Sequence, residues 1–312
     1  MKDAFGILCM KRKVIRMAGS THVVSLPNDW LKAQHLGKGD DVDLSIQGGM
    51  LRIRPNHHTE HVLEADISQL TPFLADRFMA RSYQKGYDTI KLTFDHPDIL
   101  QAVRRKVPEL LGYYVTNITD HSCVIQSMRI TDLDFETALK RAFLTVREMA
   151  YLCRVGYDSA DFETLKTVRI RDFNVNKFCY FGLRCINRGV AREEIGKTLL
   201  YYHVERLEDA GDELKKLAEE LARAPPDHPV LKDLLAYIYE FVDLVCRFFY
   251  SPTREDAVRS LEIYGKIVAC IDANIKQSDE HTLRFFFTIK SLARILYHYP
   301  TMRLDTLPES KK

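Results

Sequence analysis

Five acids crowd into "YYHVERLEDAGDELKKLAEEL": Glu205, Glu208, Asp209, Asp212 and Glu213. Glu205 and Asp209 stand one helical turn apart, as do Glu208 and Asp212, so each pair shares a helix face. Paired carboxylates at this spacing suit a hard cation or iron. Spacing alone gives more weight to a solvated acidic face. His57, His58, Glu60 and His61 form a second cluster of metal-ligand types, but adjacent histidines in a linker more often bind nothing. The chain carries no phosphate-cradling glycine loop, no nucleophile elbow and no zinc spacing, which argues against an enzyme.

A different chemistry lies near the N-terminus. From Lys11 to Val24 the chain holds Lys11, Arg12, Lys13, Arg16 and His22 and no acid. Residues 1 to 57 carry nine Lys and Arg against five Asp and no Glu, a net of +4 in a chain of net +2. A basic head on a weakly acidic body suggests that the head alone meets a polyanion. Arg12 and Arg16 are expected on one strand face, and "AGSTH", with Ser20, is a small polar loop able to approach phosphates. Arg52 and Arg54 alternate away from the apolar side of their strand. The bland reading is a solvated basic edge.

These residues need elements to hold them. Residues 12 to 55 read as strands with turn punctuation. Val42, Leu44 and Ile46 share a face that Leu51 and Ile53 continue across Gly48–Gly49, and a short helix, "PNDWLKAQH", carries the only Trp. Nothing within that segment can cover this face, so pairing with a second copy is expected. "NHHTEH" reads as a linker. Residues 62 to 130 alternate helix and strand: "DISQLTPFLADRFMARSYQKG" reads as helix, "YDTIKLTF" as strand and "PDILQAVRRKVPELLG" as helix, before a hairpin.

From Asp134 six helical segments follow, at about 134–154, 159–187, 192–223, 230–250, 253–276 and 280–299. "APPDHP" divides them into three and three, suggesting duplicated units over 131–225 and 226–300. Leu200, Val204, Leu207, Ala210, Leu214, Leu217 and Leu221 form the seam of the third helix. Residues 301–312 read as a loose tail. "LLAYIYEFVDLVCRFFY" is interrupted by Glu240, Asp243 and Arg247 and reads as a buried amphipathic helix, not a membrane span. Seven scattered cysteines without a C-x-x-C pair suggest thiols in a reducing cytoplasm.

Two resemblances rest on these residues. "LPNDWLKAQHLGKGDDVDLSIQGGMLRIRP" resembles the AbrB/SpoVT-type swapped-hairpin domain through Leu26, Pro27, Leu36, Gly39, Asp40, Val42, Leu51, Ile53 and Pro55. That resemblance implies an interlocked homodimer that binds double-stranded DNA. Val204, Glu205, Arg206, Leu207 and Asp209 resemble the third-helix motif of the PhoU family, which implies tandem three-helix bundles. The order of head, small α/β middle and helical body resembles archaeal phosphate uptake regulators. The family's acidic positions are Asn174, Asn176, Ala293 and Tyr297 here, so most of its metal ligands are missing.

The expectation is therefore a multidomain chain: a β-rich swapped-hairpin head over 1–57, a small α/β region and an all-α PhoU-like body. It would be a cytoplasmic, homodimeric DNA-binding regulator of phosphate uptake. The expected DNA contacts are Lys11, Arg12, Lys13, Arg16, Ser20, His22, Arg52 and Arg54. No cofactor is expected beyond one weak metal ion on Glu205, Glu208, Asp209 and Asp212. The alternative is a signalling adaptor that docks on a phosphate transporter ATPase or a kinase, with the head used only to dimerise.

Overall fold

The structure is a computed structural model that describes residues 10–17, 19–47, 49–55, 60–128, 133–191 and 196–307. It divides into two compact units, Met1–Glu60 and His61–Lys312.

The first unit contains four strands and one short helix. Strands β1 (Ile15–Arg16) and β2 (His22–Val23) pair antiparallel, with Arg16 opposite His22. Helix α1 (Asn28–Ala33) starts after Pro27, whose extended backbone makes it the capping residue rather than the first helical one. Strands β3 (Val42–Gln47) and β4 (Met50–Pro55) form a hairpin whose register pairs Leu44 with Ile53 and Ile46 with Leu51. This is the apolar face expected from alternation, and it is bare. Leu44 is 62% exposed, Ile46 82% and Leu51 60%. None of the described residues from 10 to 55 is buried.

The second unit opens with a four-stranded sheet of order β5-β6-β8-β7. Its strands are β5 (Val62–Asp66), β6 (Thr89–Thr93), β7 (Tyr113–Ile118) and β8 (Ser122–Ser127). The sequence pattern starts a helix at Asp66, but 62–66 is an edge strand parallel to β6. Helix α2 (Pro72–Lys85) begins only after Thr71, whose hydroxyl accepts from Leu74 N. A Ser/Thr cap followed by proline is a strong start signal, and it outweighs the apolar spacing upstream. Helix α3 (Pro97–Lys106) runs into a single 3-10 turn, Val107–Glu109. Helices α2 and α3 cover one sheet face around Met79, Tyr83, Ile90, Ile99 and Ile125.

The rest of the unit is helical: α4 (Phe135–Asp158), α5 (Phe162–Lys166), α6 (Val168–Asn187), α7 (Lys197–Arg223), α8 (Leu231–Tyr250), α9 (Arg254–Asn274) and α10 (Glu280–Thr301). The segment expected as one helix over 159–187 is thus α5 and α6, jointed at Thr167. All seven seam residues of α7 are buried. Both sets of helices contribute to one continuous core, from Phe143 and Val146 on α4 to Leu292 and Leu296 on α10. Among the described residues no helix is long and apolar enough to cross a membrane. The expected loose tail is ordered at its start. The α10 helix extends to Thr301, a 3-10 turn follows at Leu304–Thr306, and buried Arg303 donates to Phe249 O at 2.8 Å.

Candidate functional site

In the first unit, Lys11, Arg12 and Lys13 are exposed and precede β1. Arg12 therefore does not share a strand face with Arg16, because the strand is only two residues long; its guanidinium lies 3.8 Å from Met10 Sδ. Arg16 donates from Nε to Gly19 O at 3.2 Å, which closes the tight turn holding Ser20. His22 is exposed beside it on β2. Arg54 is paired in register with Asp43, and Arg52 with Ser45. Among the described residues, Lys11, Arg12, Lys13 and Arg16 form no ion pair, so their charge is available to a ligand. Met10, Leu26, Pro27, Trp30 and Ile53 line a shallow apolar pocket of about 320 Å³.

In the second unit, the α/β layer is clamped onto α6. Asp88 is the anchor: it accepts from Arg184 Nη2 at 3.1 Å, Arg188 Nη1 at 2.9 Å and His61 N at 3.0 Å. Arg184 Nη1 also donates to Tyr83 O and Tyr87 O, at 3.1 and 2.7 Å. Its guanidinium lies 5.1 and 5.3 Å from the Tyr83 and Tyr113 ring centres. The planar fork of arginine suits this set of oxygens and rings. Gly86 ends α2 with φ +96°, and a Cβ there would meet Arg188 Cδ at 2.6 Å. Backbone conformation and the passing arginine both demand glycine.

The acids of α7 do not converge. Glu205 accepts from Arg81 Nη1 of α2 at 2.6 Å, and Asp209 pairs with Arg206 at 2.6 Å. Asp212 pairs with Lys215, whose ammonium also donates to Asp172 Oδ2 at 2.8 Å. Among the described residues no three His, Cys, Asp or Glu side chains gather to hold a metal ion. Asn174, Asn176, Ala293 and Tyr297, expected in place of acids, differ in setting. Asn174 is exposed, Asn176 is half-buried, Ala293 is in the core and Tyr297 stacks on Tyr264 at 4.7 Å. His57 and His58 lie outside the described residues; His61 is tied to Asp88 through its backbone.

Glu208 differs from its neighbours. It accepts from Tyr180 Oη at 3.3 Å, and Arg77 is the cation that acts on it, too weakly to offset its burial. Burial, reinforced by Asp212, Asp209 and Glu205, pushes its carboxyl up to about 7. It faces a polar cleft of about 550 Å³ between α2, α3 and the pair α6/α7. Asp172, Asn176 and Tyr180 line the α6 wall at four-residue spacing; Glu208, Asp212 and Lys215 line the α7 wall. Asp172 and the polar character of this wall escape a reading aimed at acidic runs. The signal was present as polar residues at helical spacing on α6, opposite those of α7.

No family model matches the chain, and no curated protein matches its sequence.

Proposed function

We propose that the chain is a DNA-binding regulator that dimerises through its first unit, with the helical body sensing a signal or docking a partner. The observation that carries this reading is a basic, acid-free strand and turn beside a hairpin whose apolar face is uncovered. A segment without buried residues gains its core by pairing with a second copy, and pairing doubles the row of cations. The resemblance to AbrB/SpoVT-type domains points the same way and adds phosphate uptake as the regulated process through the PhoU-like body. The unpaired Lys11, Arg12, Lys13 and Arg16 would supply sequence-independent grip on phosphates.

The test is capture of genomic fragments by the purified full chain, followed by titration of the best fragment at several salt concentrations. Arg12→Ala with Arg16→Ala should weaken binding and flatten the salt dependence without changing the unfolding temperature. Equal affinity and an equal salt slope in the double variant would show that this face does not bind DNA. The adaptor reading would then account better for the head.

A further inference from the structure

We infer that the cleft between the α/β layer and helices α6 and α7 binds a small molecule carrying a primary ammonium group. This is independent of whether the first unit binds DNA. The first observation is charge. Six carboxylates and four cations line the cleft. Lys106 lies between Asp76 and Glu109, at 3.1 and 2.7 Å, and Lys215 between Asp172 and Asp212. Each lysine is thus shared by two carboxylates, and Glu208 adds a further acid group that accepts from Tyr180 Oη, with Arg77 acting on it.

The second observation is missing donors. The Asp172 side chain is only 6% exposed, and its Oδ1 has no hydrogen-bond partner. Asn176 Oδ1, one turn further along the same wall, is also buried and unpartnered. Buried acceptors without donors are uncommon and costly. Asp172 Oδ1 packs towards Gly211 of α7, but Asn176 is half-buried, so a turn of its amide would bring its oxygen to a ligand N–H in the cleft.

The donor is an ammonium rather than a metal ion for two reasons. A metal needs several oxygens converging on one point, and here the acceptors are spread along a helix wall. The lining also includes the rings of Phe73, Phe173 and Tyr180, which suit a methylene chain and attract an organic cation. Arg77, which lies over the Phe73 ring at 5.5 Å and whose charge acts on Glu208, can also meet an anionic group if the ligand has one.

The experiment uses the full chain, with binding followed by calorimetry and by thermal unfolding. The probes are 1,4-diaminobutane, free lysine and magnesium chloride at matched ionic strength. The diamine should bind saturably at one site per chain and raise the unfolding temperature. Asn176→Leu should weaken that binding by about tenfold or more. Should that variant fail to fold, Phe173→Ala, which removes one ring of the wall, should give a smaller loss. Tighter binding of lysine than of the diamine would keep the ammonium chemistry and assign an amino acid as its source. No saturable binding of either amine at millimolar concentration, tighter binding of magnesium, or unchanged amine binding in the folded variants would overturn the inference.

Discussion

Acidification should loosen the junction of α7, α8 and α10 through one residue, His203. It is 1% exposed, and neither ring nitrogen has a hydrogen-bond partner. Its ring stacks on Tyr299 at 4.7 Å and meets Phe249 edge-on at 5.9 Å. Burial, with Arg303 adding repulsion, lowers its pKa to about 4 from an ordinary 6.5. The imidazole is therefore neutral in the fold and protonates more readily in the unfolded chain. Its contribution to stability is complete above pH 6.5 and is lost as pH falls towards 4. The difference of about 2.5 pKa units corresponds to about 3 kcal/mol, of which about 2 kcal/mol is gone by pH 5. Glu208 works in the opposite sense. Its raised carboxyl holds a proton more readily in the fold than in the unfolded chain, so its contribution is complete below pH 4.5 and is lost as pH rises through about 7. The wild-type curve mixes the two, and the decisive quantity is a difference between proteins. Urea unfolding of wild type and His203→Phe should be measured from pH 8 to pH 4.5. The stability of the variant relative to wild type should rise by about 2 kcal/mol or more as pH falls through 6.5 to 4.5. Parallel curves would refute the argument, because they would mean that His203 finds a partner when protonated.

Three further outcomes follow from the geometry. Arg184→Ala should cost about 3–5 kcal/mol, since it leaves buried Asp88 short of a cation and strips Tyr83 O and Tyr87 O of a donor; hydrogen exchange should show faster opening in 61–128 than in α8. Leu44→Glu with Ile46→Glu should halve the mass of the full chain by light scattering, because like charges would meet across the proposed pairing face; an unchanged mass would place the contact elsewhere. Elemental analysis of protein purified without chelator should find less than one tightly held iron or zinc per chain, since Glu205 and Asp209 are already held by Arg81 and Arg206. Two or more metal ions per chain, lost on Glu205→Gln with Asp209→Asn, would contradict this.

Much of the helical body was legible in the sequence. The seam of α7 repeats every three or four residues, and strong breakers such as "APPDHP" separate α7 from α8. Alternation placed Leu44, Ile46, Leu51 and Ile53 on one hairpin face, and that pairing is the one found. Strand β5 was missed because five residues give few periods to count, and its pairing partner β6 lies more than twenty residues away. Arg12 was placed on a strand because alternation says nothing of where pairing stops; only the partner β2 limits β1 to Ile15–Arg16.

The amino-acid sequence by itself determined most of the helical stretches, the apolar seam of α7 and the apolar face of the hairpin, and the net basic charge of the first unit with its acid-free stretch from Lys11 to Val24. Those are local properties, set by side-chain type and the period of the backbone. Tertiary structure decided how the acids of α7 differ from one another. Glu205, Asp209 and Asp212 look alike along α7, yet each is met by a different cation: Arg81 from α2, Arg206 from its own helix, and Lys215, which is shared with Asp172 from α6. The Glu208 carboxyl is raised to about 7 and the His203 imidazole lowered to about 4 because other helices remove them from water. The free energy of a charge depends on the solvent and counter-charges around it; Arg206 and Lys215 lie one turn away, but Arg81, Asp172 and the helices that bury Glu208 and His203 come from elsewhere in the chain.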